Sequence, residues 1–472
     1  MRPSTRFVRA LVVIAIVGFA LRVAYVVVSS AQVGGDGLYY HAIAGLVADG
    51  KGFIAPEVYA KLGQALPTAP HPPAWPLVLI GAALVGLRTT FEQQIIACLI
   101  GTATVVAVGF AGRRIGGGRV GLVAAAIAAV YPNFWLYERE LMSETLTLLL
   151  AATTILLAYR FRDRPSRGRA LALGLSCGAL AITHAEQTVL IGVLLLPLIL
   201  LTRNTPRKPR IAWAAMAVVA AVAVILPWAA YNTRRFDTPV LMGTQFGVTF
   251  AISNCSYVYS GHLIGFQDDR CNEEAVRSGR ITGTDDPTRD NQYLHVGLDY
   301  ARAHASRIPV VVLAREARTW GLLPSQLHLD DQRGTSYYVV VLGYLFYWAL
   351  IPFAIAGALI LHRQRVMELP LLAFFVTVGI SVALTYGFTR FRAAAEVAIV
   401  LLAGVASERV LRWITSAARR APARRRRGGS PACSIRSIHC RSPTRTPMVS
   451  VICRASPSTW SICRGLASTR SG

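Results

Sequence analysis

The chain has 472 residues, of which 54% are hydrophobic, and a mean hydropathy of +0.46. Its apolar residues come in long uncharged blocks, and about ten such blocks exclude a soluble globular protein, because about 20 apolar residues cross a hydrocarbon core. The net charge of +25 does not indicate nucleic acid. Twelve arginines lie from Arg419 onward, in a stretch without Asp, Glu or Lys, and the others fall mainly between apolar blocks, where they orient a membrane protein.

The basic start MRPSTRFVRA precedes an apolar block at 11–28. Its length and the many blocks that follow make it a retained signal anchor rather than a cleaved signal. Spans are expected at 10–29, 91–112, 120–137, 143–159, 170–183, 187–202, 211–231, 338–361, 368–387 and 394–412. The block at 73–87 is short and proline-rich, opening with Pro72-Pro73 and carrying Pro76. If it does not span, Arg113-Arg114, Arg160, Arg203, Arg363 and Arg409 all share the side of the basic N-terminus. It is therefore read as interfacial or re-entrant, with both termini cytoplasmic.

That topology places residues 29–90, the tight turn 136–142 and the long polar segment 232–337 on the outer face. The last is expected to form a small extracytoplasmic cap with few strands and one helix from Tyr293 to Trp320. The fold class is then all-α: a polytopic transmembrane helical bundle. Its parts are an N-terminal membrane module (1–231), the extracytoplasmic segment (232–337), C-terminal membrane helices (338–418) and a tail (419–472). The tail reads either as a basic disordered segment near anionic lipid or as the product of a reading-frame shift. Its missing Asp, Glu and Lys favour the second.

Acidic residues are few. Asp36 lies in GGDGLYYHAIAGLVADGKGF, just past the first span. Its glycine neighbours permit a tight turn and close ligand approach. A structural reading makes Asp36 the N-cap of the amphipathic helix that follows; a functional one makes it catalytic, with Tyr39 and Tyr40 beside substrate. The second acidic group is YERELMSETL, with Glu138, Arg139, Glu140 and Glu144 at the outer end of a span pair. Capping or helix-dipole roles suit Glu138 and Glu140, whereas Glu144 begins an apolar helix, where an ionisable group is costly and usually functional. Arg139 is a candidate substrate contact.

His71 sits before Pro72-Pro73 and is a candidate contact for a phosphate or an acceptor. Arg390 and Arg392, in TYGFTRFRAAAEV, run against the positive-inside bias. A lipid-linked phosphate explains them through bidentate guanidinium contacts; an ion pair with Glu396 is the alternative. Gly116, Gly118 and Gly121 match G-x-G-x-x-G, but no strand precedes them, so a dinucleotide site is discarded. Cys98 and Cys177 lie in apolar blocks and read as packing residues. Cys255 and Cys271 share the outward segment, where a disulfide persists; closing that loop contributes about 3 kcal/mol on the chain-entropy model. Such a bond is expected to hold Asn254 near a sugar. No metal-ligand spacing is legible; a divalent cation is compatible with the sequence but not indicated.

The order of five motifs resembles the GT-C membrane glycosyltransferases, specifically the protein-mannosyltransferase and aminoarabinose-transferase group. They are GDGLYYHAIAGLVADGKGF, HPPAWPLVL, GRRIGGGRVGLVAAAIAAVYPNFWLYERELMSETL, PWAAYNTRRFDTPVLMGTQFG and TRFRAAAEVAIVLLAG, spanning about residues 8–412. The resemblance implies an outer-face active site, a polyprenyl-phosphate-linked sugar donor and a glycan, lipid or protein acceptor. It implies Asp36 as the catalytic carboxylate, Glu144 as a second acid and Arg392 near the lipid phosphate. There are departures: Gly37 follows Asp36 where protein mannosyltransferases carry an acidic pair, Ala69-Pro70-His71 replaces an acid-Lys pair, and THAEQ stands where relatives have Arg-Pro. A transporter or lipid flippase is the competing class; it requires mid-membrane charges and pseudo-symmetric halves.

Overall fold

The computed structural model describes residues 3–29, 32–202, 205–323, 337–420, 451–456 and 459–463. Two compact units are present, Met1–Trp413 and Ile414–Gly472.

The regular elements of the first unit are all helices among its described residues, with one isolated bridge between Ile54 and Pro67. Five helices are long and apolar enough to cross a membrane: α1 (Thr5–Val28), α5 (Thr90–Gly116), α8 (Glu144–Asp163), α11 (Arg207–Thr233) and α16 (Tyr337–Arg363). Shorter apolar helices accompany them: α4 (Ala74–Leu84), α6 (Gly118–Val130), the stretch Ala185–Leu200 and α17 (Leu369–Leu384). The latter stretch passes through a π-helical turn, Ile191–Leu195, before α10 (Leu196–Leu200). The chain is a multi-pass membrane protein. Its outward surface agrees, since Val13, Ile16 and Val17 of α1 are 56–62% exposed, which suits lipid rather than water.

The helices meet through small residues. On α9 (Arg167–Ala181), a methyl group at Gly174 would stand 2.1 Å from the Ala217 carbonyl oxygen of α11. Small residues let backbones approach closely where no hydrophobic drive separates protein from lipid. Gly121, one of the discarded motif glycines, likewise lies against the Gly109 carbonyl of α5. In α18 (Ala393–Arg420), residues Ala393 to Leu402 are almost entirely buried in the central core.

Each expected span falls on a helical stretch, but only five of these helices are long and apolar enough to cross a membrane, and some ends differ. The third ends at Val130, because Pro132 opens a 3-10 turn and the short α7 (Leu136–Arg139) follows. The block at 73–87, expected to be interfacial or re-entrant, forms the 11-residue α4.

The polar segment after α11 holds α12 (Phe246–Ile252), α13 (Asp269–Arg277), α14 (Asp286–Ala303) and α15 (Ile308–Thr319). No strand occurs among its described residues. The single helix expected from Tyr293 to Trp320 is broken at His304, and a new helix opens with Pro309 in its first turn. Proline fits that first turn, where an amide donor has no partner, but not a helix interior. Asp285 caps α14 by accepting from the Thr288 amide.

In the second unit, Val451–Ser456 and Thr459–Cys463 pair as an antiparallel hairpin, from Val451 opposite Cys463 to Ser456 opposite Thr459. Of the two readings of this tail, a disordered basic segment or the product of a reading-frame shift, neither anticipates a hairpin. The β-branched and aromatic residues of these two stretches suit a pleated ribbon. Residues 421–450, where most of the arginine run lies, are outside the described residues.

Candidate active site

α2 (Gly35–Ala48) begins where α1 hands the chain over. Its N-cap is Gly34, so Asp36 is not the cap but sits in the first turn, facing a cavity. Gly37 makes this placement possible: a Cβ there would lie 1.9 Å from the Glu140 carbonyl oxygen. Helix α2 is thus seated directly on the YEREL turn, and an acidic pair at 36–37 has no room.

The cavity measures about 900 Å³ and is bounded by α2, the loop through Pro70–His71, the turn Thr183–Glu186, the segment 238–252, α14 and the loop after α17. Asp36 Oδ2 lies 2.9 Å from Arg390 Nη1, and Asp36 Oδ1 lies 3.8 Å from His71 Nε2. Arg390 Nε lies 3.5 Å from Glu144 Oε1. Carboxylate, guanidinium and carboxylate therefore alternate along one wall. Burial opposes the charge of Arg390, but Asp36 and Glu144 outweigh it and hold the guanidinium firmly protonated. Burial lowers the His71 imidazole to about 4, only partly opposed by Asp36, so His71 is neutral at physiological pH. The rings of Tyr39 and Tyr40 pack on it at 5.3 and 5.0 Å.

Of the sequence candidates, Asp36, Tyr40, His71 and Arg390 line the cavity, and Glu144 stands behind Arg390 with 1% exposure. Tyr39 is not in the lining but packs on two residues that are, His71 and Tyr40.

Arg392 departs from its expected place near a lipid phosphate. It is buried under the ring of Tyr347, donates to Glu396 at 2.6 Å and to the Thr319 carbonyl at 3.0 Å, and does not line the cavity. The two arginines are only two residues apart, but a 3-10 turn, Thr389–Arg392, points them to different surroundings. Asn254 also departs: its Oδ1 accepts from Tyr259 and Arg315, inside the packing of the polar segment. Arg139 is buried outside the cavity lining. Cys255 and Cys271 are joined, with Cα atoms 5.7 Å apart, but this bond secures α13 to the preceding turn rather than holding Asn254 at the cavity.

The capping readings of the YERELMSETL group also change. Ser143 precedes α8 without a capping hydrogen bond; its hydroxyl meets His184 Nε2 at 2.9 Å. Glu138 pairs with Arg22 of α1 at 2.8 Å, both fully buried. Arg22 also donates to the Gly18 and Ala129 carbonyls. A lone arginine inside the first apolar span was the sequence signal for this pair. His184 and Glu186, in the THAEQ turn, line the cavity too, although the motif order did not single them out. Among the described residues no cluster of three or more His, Cys, Asp or Glu is placed to hold a metal ion.

Residues 70–231 match the family profile of dolichyl-phosphate-mannose-protein mannosyltransferase. None of the curated proteins matches the chain in sequence. Among solved structures, archaeal oligosaccharyltransferase AglB from Archaeoglobus fulgidus, in complex with an inhibitory peptide and a dolichol-phosphate, superposes with a TM-score of 0.51. Identity is 14%, over 88% of this chain and 51% of that one. The likeness is one of fold: this chain shares the helical architecture of that oligosaccharyltransferase. The same oligosaccharyltransferase tethered to an acceptor peptide gives a TM-score of 0.52 at 14% identity, covering 87% and 50%. The chain spans about half the length of those proteins. ArnT from Cupriavidus metallidurans bound to undecaprenyl phosphate matches at 16% identity over 86% and 79% of the two chains, with a TM-score of 0.41 that is too loose to carry the argument.

Proposed function

We propose that this chain transfers a sugar from a polyprenyl-phosphate carrier to a hydroxyl group of an envelope glycan, lipid or protein on the outer face of the membrane. The observation that carries this reading is the Asp36–Arg390 pair, 2.9 Å apart on the wall of one cavity. Sugar transfer from a phosphate needs both partners. The acceptor hydroxyl must lose a proton as it attacks the anomeric carbon, and a carboxylate beside it accepts that proton. The bond from the anomeric carbon to the phosphate oxygen breaks, and the departing prenyl phosphate gains negative charge, which a fixed guanidinium stabilises. Asp36 takes the first role and Arg390 the second. One carboxylate and a direct displacement invert the configuration at the anomeric carbon.

Glu144 holds Arg390 from behind, and the neutral His71 leaves Asp36 its charge. The same wall is apolar at Val189, Ile380 and Leu384, which suits the first isoprene units of the carrier. Membranes carrying Asp36→Asn should lose transfer from a radiolabelled polyprenyl-phosphate sugar by about a hundredfold or more; transfer at the wild-type rate removes Asp36 from the mechanism. Orientation is tested separately: a cysteine introduced within 261–289 should react with an impermeant reagent on intact cells, and labelling only after permeabilisation inverts the proposed topology.

A further inference from the structure

The turn after α9 lines up three polar groups that the mechanism above does not use. Glu186 Oε1 lies 3.0 Å from His184 Nδ1, and His184 Nε2 lies 2.9 Å from Ser143 Oγ. All three residues line the cavity. Carboxylate, imidazole and hydroxyl in this order is the layout of an activated serine nucleophile. Two features argue against that use. Burial opposes charge on His184, but Glu186 and Glu144 outweigh it and push the imidazole up to about 9; an imidazolium cannot take the serine proton. The Glu144 carboxylate, 4.0 Å from His184 Nε2, also places negative charge where an acyl oxyanion would need donors.

A protonated imidazole has two N–H donors and no acceptor. Its Nδ1–H is committed to Glu186, so Nε2–H donates to Ser143 Oγ. The serine hydrogen is then left for the neighbouring Tyr40 hydroxyl or for an anionic oxygen in the cavity. A second feature points the same way. Arg390 Nε and His184 Nε2 converge on the same atom, Glu144 Oε1, at 3.5 and 4.0 Å. That oxygen is buried and makes no hydrogen bond. Two cations thus stand beside one carboxylate oxygen at the edge of the cavity, and their charge is felt by a phosphate there, for His184 through the Ser143 hydroxyl.

We infer that His184 is a second phosphate-binding cation of this cavity, acting beside Arg390 and through the Ser143 hydroxyl on the lipid-linked phosphate. Glu186 is its positioning residue. The inference rests on the glycosyl-transfer reading above. The charged or titratable groups facing His184 are Glu186 in its own turn, Glu144 of α8, Arg390 from the turn after α17 and His71 from the loop before α4.

The test uses the detergent-solubilised full chain and follows binding of polyprenyl phosphate and of the uncharged polyprenol by tryptophan fluorescence, with inorganic phosphate as competitor. Wild type should prefer the phosphate. His184→Gln, which keeps a polar side chain but no charge, should lose about tenfold of that preference, the loss of one charge-assisted hydrogen bond. Wild-type preference should fall as pH rises through about 9. Glu186→Gln keeps the imidazole, removes a partner that raises its pKa, and should move that fall to lower pH. An unchanged preference in His184→Gln, or an unmoved pH profile in Glu186→Gln, overturns the assignment of His184. A wild type that binds polyprenol as tightly as polyprenyl phosphate overturns the glycosyl-transfer reading itself. Inorganic phosphate competing as well as the lipid overturns the lipid-linked source and makes this a free-phosphate site.

Discussion

Replacing Gly37 by alanine adds a single methyl group, and the structure fixes where it goes. The new Cβ would stand 1.9 Å from the Glu140 carbonyl oxygen and 3.0 Å from Val33 Cγ1. The first neighbour is backbone, on a turn that Trp75 also anchors by donating to the Leu141 carbonyl at 2.6 Å. Real Cβ contacts essentially never fall below 3.0 Å, so α2 must move by about 1 Å or more from the turn. Asp36 precedes Gly37 directly and moves with it. A misplacement of about 1 Å costs roughly a hundredfold in rate, and the strain costs about 1–3 kcal/mol of stability. Gly45 is the control in the same helix. A Cβ there meets nothing within 4 Å, so Gly45→Ala should stabilise by about 0.5–1 kcal/mol and leave transfer intact. Both variants are assayed in proteoliposomes for sugar transfer and in detergent for thermal unfolding. If Gly37→Ala transfers at the wild-type rate with an unchanged melting temperature, the seating of α2 on the Glu140 turn is wrong, and so is the position given to Asp36.

The two arginines of the TRFR turn should separate: Arg390→Lys lowers transfer by at least about tenfold with little change in melting temperature, whereas Arg392→Lys chiefly lowers the melting temperature. Equal effects on both readouts would merge their roles. Glu138→Leu strands the buried Arg22 charge and should cost about 3–5 kcal/mol, while Arg22→Met combined with Glu138→Leu recovers most of it; a double variant no better than the single one contradicts the pairing. His71 is lowered to about 4 in the fold from an ordinary 6.5, so the unfolded chain binds its proton first and stability falls as pH drops from 6.5 towards 4. His184, raised to about 9, contributes stability that is complete below pH 6.5 and lost as pH rises through 9. Thermal unfolding across this range should therefore peak near pH 6.5, and His71→Gln should remove the acid-side slope; an acid limb that persists in that variant belongs to other groups.

Much of the architecture was legible because a membrane imposes one-dimensional rules. The apolar runs located the helical stretches, though some ends lie seven or eight residues from their expected place, since each backbone polar group in lipid must be satisfied within its own helix. Asp36 and Glu144 stood out for a related reason, being acids at the ends of apolar segments. The motif order resembles that of GT-C enzymes, a likeness that depends on no tertiary contact.

What tertiary structure decided is which polar groups meet. Arg390 and Arg392 are equivalent by every sequence criterion, but a 3-10 turn sends one to Asp36 and the other to Glu396. Glu138 had the composition of a capping residue, and only the packing of α1 against α7 gave it Arg22, 116 residues away. His184 and Glu186 were visible only as a departure from a motif, because their partners Ser143 and Glu144 come from another helix. Burial patterns are periodic along a helix and can be read residue by residue. Ion pairs between helices depend on rotation and depth, and sub-ångström placement is set by close backbone contacts such as that of Gly37 with Glu140, which no local pattern encodes.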